Sequence, residues 1–247
     1  MLRDYLDTLN IGNRFVIRDY LDTLNIDNRC MKGNSQVLSL AMYGSWQVAS
    51  VSFEYHEPDI FRGCKPDQNI YLQFPKRRIE GRAVPVNVTV DCDFYGMTPF
   101  YESPEDMIKY DIIAVTGLSA HAFGSWKSPD QAHVMWLRDF LKIDLADSRV
   151  LTWGYHSDIK NDQSTTSIAA ISRDFLQDIK FARRKSASDR PLILIGHSLG
   201  GLVLQQALAD AGKETDEENG TLLRSCIGIL FFGVPNLGLN PQASRHW

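Results

Sequence analysis

The chain has 247 residues, 44% of them hydrophobic and 23% charged, and a formal net charge of −4. Those values are ordinary for a globular protein and leave room for one sizeable α/β domain with an appendage. They exclude the basic footprint of a nucleic-acid binder, and no apolar run is long enough to span a membrane as a helix.

The N-terminal segment opens with a repeat. "RDYLDTLNIGNR" at 3–14 recurs as "RDYLDTLNIDNR" at 18–29, identical at eleven of twelve positions. Two copies are too few for a solenoid. The spacing of Leu2, Leu6 and Leu9 predicts a short amphipathic helix in each copy, so residues 1–33 read as a duplicated helical arm, a local duplication without chemistry first and a partner-binding arm as the alternative. Residues 34–81 form a poorly defined appendage. "WQVASVSFEY" reads as a strand, while "EPDIFRGCKPDQ" and "FPKRRIEGR" read as loops, because Pro, Gly and charge break any period.

From residue 82 the pattern sharpens into a third region, 82–247. Val84, Val86, Val88, Val90 and Cys92 alternate with polar residues, which predicts a half-buried antiparallel strand. After Gly96, "TPFYES" is expected to run back as the other arm of a hairpin. A β-α-β series follows: strands at 111–117, 149–155, 191–196 and 226–234, and helices at 132–141, 166–184 and 200–212. "KETDEEN" at 213–219 reads as a charged, solvated loop. Alternation of this kind predicts a parallel sheet with helices on both faces and its chemistry at the carboxyl ends of the strands. Four loops then share one rim, starting after residues 116, 154, 196 and 234.

The four cysteines, Cys30, Cys64, Cys92 and Cys226, form no C-x-x-C pair. This predicts neither a zinc site nor a dithiol redox site, but reduced thiols in an intracellular protein. "MLRDYLDTLN" has no apolar h-region of a signal peptide, and its acids argue against a transit peptide.

The segment with chemistry is "PLILIGHSLGGLVLQQAL" at 191–208. Gly196-His197-Ser198-Leu199-Gly200 fits G-x-S-x-G, with a strand before it and a helix after it, the context that places a nucleophilic serine on a strained turn. The N–H of Leu199 at the helix start is then aimed at a developing oxyanion. A second donor is expected in the loop after the first parallel strand, "VTGLSAHAFGSW", where Gly117 lets the N–H of Leu118 turn inward.

The motifs "VTVDCDFYGMTPFY", "DIIAVTGLSAHAFGSWK", "MWLRDFL", "RVLTWGYHS", "LILIGHSLGGLV" and "ILFFGVPNLGL" resemble, in order, the α/β-hydrolase domain of the serine-active-site-containing protein family. This is a lipase-like serine esterase group, also found at the N-termini of fungal NLR-type and ankyrin-repeat proteins. The resemblance spans about residues 84–240. It implies Ser198 as nucleophile, an ester or lipid substrate, and no metal or organic cofactor. It also implies that the strand at 111–117 lies beside the nucleophile strand and the strand at 149–155 one place further out. For location it implies the cytoplasm or an association with the mitochondrial or endoplasmic reticulum membrane. Two positions depart from the family, Thr116-Gly117 in place of His-Gly and Pro235-Asn236 in place of Pro-His.

The triad order in this fold is serine, acid, histidine. After Glu218 the sequence holds no Asp or Glu, and after Ser198 its one histidine is His246. The region therefore reads as a C-terminally truncated hydrolase domain. His121, in the loop after the strand at 111–117, is the candidate substitute base; His156, close to Asp158, stands one strand further away. Two functions stay open: a serine hydrolase acting through Ser198, or a hydrolase-fold module without catalysis that serves in interaction or signalling. The strand at 226–234 is expected to form an exposed apolar edge, a second surface for a partner.

Overall fold

The computed structural model describes residues 14–20, 35–43, 46–53, 69–79, 82–101, 105–117, 120–128, 134–156, 167–184, 188–213 and 216–237. Its strands make two five-stranded sheets.

The first sheet contains β1 (Arg14–Tyr20), β2 (Ser35–Tyr43), β3 (Trp46–Phe53), β4 (Ile70–Ile79) and β5 (Arg82–Asp91) in the order β2-β3-β1-β5-β4. All its pairings are antiparallel. This corrects the helical reading of the N-terminal arm at residues 14–20. "RFVIRDY" is rich in β-branched and aromatic residues, and it fills the slot between β3 and β5, which outweighs the leucine spacing of the repeat. The remainder of the arm lies outside the described residues. The appendage at 34–81 supplies three strands of this sheet.

The hairpin expected around residue 82 exists, with a different second arm. β5 pairs with β4 in the register Ile79↔Arg82, and with β1 on its other side. Residues 96–101 instead form β6 (Gly96–Tyr101) in the second sheet. Alternation of period two defines a strand's faces but not its neighbour. Here the chain turns between the sheets through Phe94 and Gly96, both at positive φ (58° and 70°). The Asp91 carboxylate accepts the Phe94 N–H at 2.8 Å across that turn.

The second sheet adds β7 (Tyr110–Val115), β8 (Ser148–Gly154), β9 (Leu192–His197) and β10 (Cys226–Phe232), in the order β10-β9-β7-β8-β6. β10, β9, β7 and β8 run parallel, and β6 is antiparallel to β8. β7 lies beside β9, the strand that leads into Ser198, with β8 one place further out, as the α/β-hydrolase-like reading expects.

The helices follow from this order. The chain steps from β7 to β8 in one direction and from β8 to β9 to β10 in the other. Right-handed crossovers therefore place the first connection on one face and the later ones on the opposite face. The short α1 (Trp136–Asp139) and α2 (Leu141–Asp144) replace the single helix expected at 132–141. Their Leu137 and Leu141 pack with Phe94, Phe100, Phe123, Trp126 and Ile195, and Val48 of the first sheet closes the same cluster. On the other face lie α3 (Ile168–Ala182), α4 (Leu199–Ala211) and α5 (Glu217–Ser225). The α3 stripe Ile171, Phe175 and Ile179 meets Ile113, Val115, Leu151, Leu194, Val203 and Leu204. Caps set two of these starts: Ser167 accepts from Ala170 N–H, and Asp216 from Asn219 N–H. The Asp216 cap corrects the reading of 213–219 as a plain loop, because Glu217, Glu218 and Asn219 open α5. Acidic residues there suit the positive end of the helix dipole.

At the amino ends of the parallel strands, Asp111 of β7 is fully buried and accepts hydrogen bonds from three guanidiniums. Arg149 of β8, Arg190 just before β9 and Arg183 at the end of α3 reach it at 2.5–3.0 Å. Arg183 also bonds the carbonyls of Ser188 and Arg190 and the hydroxyl of Ser225. One carboxylate thus ties β7, β8, the start of β9 and the end of α3 together.

Candidate active site

The carboxyl ends of β7 and β9 form the point where the strand order reverses, since the chain leaves β7 to one side and returns to β9 on the other. Open α/β sheets bind ligands in the crevice at that point. Ser198 stands there, between β9 and α4. Its backbone has φ 51° and ψ −126°, a region that a non-glycine residue occupies at a cost of about 1–3 kcal/mol. The surroundings hold it in place. Ser198 N–H donates to Phe232 O of β10 at 2.9 Å, and Ser198 O accepts from Gly201 N–H at 3.1 Å.

The flanking glycines are required by close approach. A methyl group on Gly196 would lie 2.6 Å from the Gly201 Cα, and one on Gly200 would lie 2.3 Å from the Thr116 carbonyl oxygen. One on Gly201 would meet the Val234 side chain at 2.2 Å. The helix thus runs directly against the ends of β7 and β9 and the segment after β10. On the other side, a methyl group on Gly117 would sit 2.7 Å from Ser198 Cβ and 3.2 Å from Oγ. The loop after β7 therefore touches the serine itself, the position a second oxyanion donor needs.

Ser198 is half-buried, and its hydroxyl makes no hydrogen bond among the described residues. The Leu199 N–H at the first position of α4 likewise has no acceptor among them. A hydroxyl on a strained turn beside a free helix-start N–H is suited to attack on a carbonyl and to capture of the resulting oxyanion. Leu118, the expected second donor, falls outside the described residues.

His121, the candidate base, makes no hydrogen bond to Ser198 in this structure. Its Nε2–H donates to Cys92 O at 2.8 Å, and its Nδ1 accepts from the N–H groups of Phe123 (3.1 Å) and Gly124 (3.0 Å). With both nitrogens committed and its ring edge-on to Phe94 at 5.1 Å, the residue pins its own loop. The sequence showed a histidine in the correct loop, but nothing in it recorded the backbone groups that occupy the ring. His197 packs edge-on against Trp126 on the sheet face opposite α4, with its buried Nδ1 unpartnered among the described residues. His156 lies near the Tyr95 ring, 6.0 Å between centroids. His56, His133, Asp158 and His246 lie outside the described residues.

The sequence reading passed over Tyr155 and Ser125, and noted Thr116 only as a departure from the family it resembles. Tyr155 follows β8 at the same rim and donates its hydroxyl to the Thr116 carbonyl at 3.2 Å. Burial pushes its pKa well above the ordinary tyrosine value, which keeps the donor protonated. Thr116 Oγ1 bonds Ser125 Oγ at 2.6 Å, and Ser125 Oγ donates to His121 O at 2.9 Å. The signal available in the sequence was position: Tyr155 closes "RVLTWGY" at a strand end that shares the rim with Ser198.

No family model matches the chain. It is 28% identical over 152 residues to Protein SERAC1 of Danio rerio, a match that takes in 53% of this chain and 22% of that protein. It is 26% identical over 163 residues to Protein SERAC1 of Homo sapiens, covering 58% and 24%. The chain thus corresponds to less than a quarter of the length of these relatives. Among solved structures, it shows a likeness to an inhibited esterase B from Lactobacillus rhamnosis at 14% identity and a TM-score of 0.29, over 69% of this chain and 49% of that one. At that score the likeness carries no functional weight. The architecture is an α/β-hydrolase-like sheet, and the sequence is similar, over part of its length, to Protein SERAC1.

Proposed function

We propose that this chain is a serine hydrolase that acts on ester or lipid substrates by acyl transfer through Ser198. The observation that carries the reading is the backbone of Ser198. A fold maintains a serine at φ 51° and ψ −126° only against a local cost, and such strain is characteristic of functional sites. In this mechanism Ser198 Oγ attacks the ester carbonyl. The Leu199 N–H, with Leu118 as the expected second donor, stabilises the tetrahedral oxyanion. The leaving alcohol departs, and water releases the acyl group from the serine. The proton of Ser198 passes to a general base, and no described residue hydrogen-bonds the Ser198 hydroxyl to fill that role.

The bare Ser198 hydroxyl favours a second reading, a hydrolase-fold module that binds without turnover. A fluorophosphonate probe separates the two. The hydrolase reading expects covalent labelling that maps to Ser198 and disappears in Ser198→Ala. Folded protein that stays unlabelled would support the binding module.

A further inference from the structure

We infer that Tyr155 is a positioning residue for the oxyanion loop: its buried hydroxyl orients the Thr116–Gly117 peptide beside Ser198. The inference rests on the hydrolase reading and adds the part that sets its oxyanion geometry. The Thr116 carbonyl is held from two directions. Tyr155 OH donates to it at 3.2 Å, and the Gly200 backbone approaches so closely that an added methyl would lie 2.3 Å from it. In a planar trans peptide the C=O and the following N–H point in opposite directions. Fixing the Thr116 carbonyl therefore fixes the Gly117 N–H, and it leaves only the two torsions of Gly117 before the N–H of Leu118.

Glycine is free at both torsions, so an anchor one residue upstream is needed to give that donor a single direction. The hydroxyl itself is held by packing. Tyr155 is buried, and its ring stacks on Trp153 at 5.2 Å. Trp153 donates its indole N–H to Asp178 of α3 at 2.8 Å. The Thr116 side chain gives the same residue a separate tether through Ser125 to the His121 carbonyl. Tyr155 touches no reacting atom and acts through the peptide it holds.

The test compares the wild-type chain with Tyr155→Phe, which deletes one oxygen and keeps the ring, and with Thr116→Val, which cuts the second tether. The first readout is the rate of Ser198 labelling by a fluorophosphonate, whose tetrahedral adduct occupies the oxyanion site. A second is the affinity of a planar, unreactive ketone analogue. The third is hydrogen exchange of the 115–120 segment, measured in a Ser198→Ala background. We expect Tyr155→Phe to slow labelling about tenfold, a fraction of the roughly 10²–10³ lost when an oxyanion donor is removed outright. Ketone affinity should be unchanged, and exchange should rise at 116–119 but not in β9 or α4.

Equal labelling rates and equal exchange in wild type and Tyr155→Phe would overturn the inference. So would a uniform rise in exchange across the domain, which marks a purely structural loss. If the wild type is not labelled at all, the hydrolase reading fails, while a selective loosening at 116–119 still supports Tyr155 as the anchor of this loop.

Discussion

The two ends of the parallel sheet are built on opposite principles. At the amino end, a buried carboxylate meets three guanidiniums, one of which, Arg183, bonds further carbonyls and a hydroxyl. At the carboxyl end, a serine sits in an unfavourable backbone conformation, with its hydroxyl and the next N–H unpartnered among the described residues. A reacting group has to be left unsatisfied if it is to bond a substrate, and the strain that exposes it has to be offset elsewhere. The locked end contributes to that offset by fixing where β7, β8 and β9 begin. The separation of stability from reactivity is thus spatial, one end of each strand for each.

Removing the keystone breaks this contrast most severely. Asp111→Asn leaves three buried guanidiniums without a counter-charge, and loss of one partner from a buried ion pair costs about 3–5 kcal/mol. Urea denaturation should show that loss as a lower midpoint. The paired mutant Asp111→Asn with Arg149→Met, which also removes one of the orphaned cations, should recover part of it.

At the reactive end, the close approaches of glycine are the sensitive points. Gly200→Ala drives a methyl group into the Thr116 and Val115 carbonyls and should cost about 1–3 kcal/mol, as overpacking does, while displacing the loop beside Ser198. Gly228→Ala on β10 meets nothing within 4 Å and should leave the midpoint nearly unchanged. Equal effects from the two substitutions would mean that the packing around the nucleophile is looser than described.

The strain itself is open to measurement. Ser198→Gly relieves a positive φ at a small entropic cost in the unfolded chain. It should raise stability by about 1 kcal/mol, whereas Ser198→Ala, which keeps a Cβ, should gain less. A Ser198→Gly protein no more stable than Ser198→Ala would show that the turn is unstrained and would weaken the contrast between the two ends.

The smallest effects lie at the sheet's edge and in its titration. β10 pairs only with β9 among the described residues, and Ile227, Leu230, Phe231 and Phe232 of that strand are exposed. Apolar edges of this kind template association. Ile227→Lys should shift size-exclusion profiles toward monomer with stability changed by less than about 0.5 kcal/mol. Asp178 has its carboxyl raised above the ordinary value, chiefly by burial, although the Trp153 indole N–H opposes the shift. A carboxyl with a higher pKa when folded binds its proton more tightly in the native state, so stability falls as pH rises through the carboxylate range above the unfolded value. Asp178→Asn keeps an acceptor for Trp153 and should flatten that slope in pH-dependent melts.

Hydrophobic period and turn chemistry were enough to read most of the second sheet from the sequence. "DIIAV", "RVLTWG" and "LILIGH" are apolar runs bounded by polar or glycine-containing breaks, which is how buried parallel strands are written. G-H-S-L-G-G showed the turn because each glycine stands where a side chain would collide, and a collision of that kind restricts a position to one residue type. Pairing partners were not legible, because alternation along β5 looks the same whether its neighbour comes before it or after it. That is why "TPFYES" at 98–103 read as a hairpin arm although residues 96–101 form a strand of the other sheet. Nor was the use of His121 legible: the sequence placed an imidazole in the right loop, and only the backbone folded around it showed that both nitrogens are taken. The sequence alone determined the strand, the turn at Ser198 and the helix after it, since local sterics and burial act on adjacent residues. Only the tertiary structure decided which side chains surround it, because Tyr155, Thr116, Gly117 and Ser198 lie on three separate strand ends that packing alone brings together.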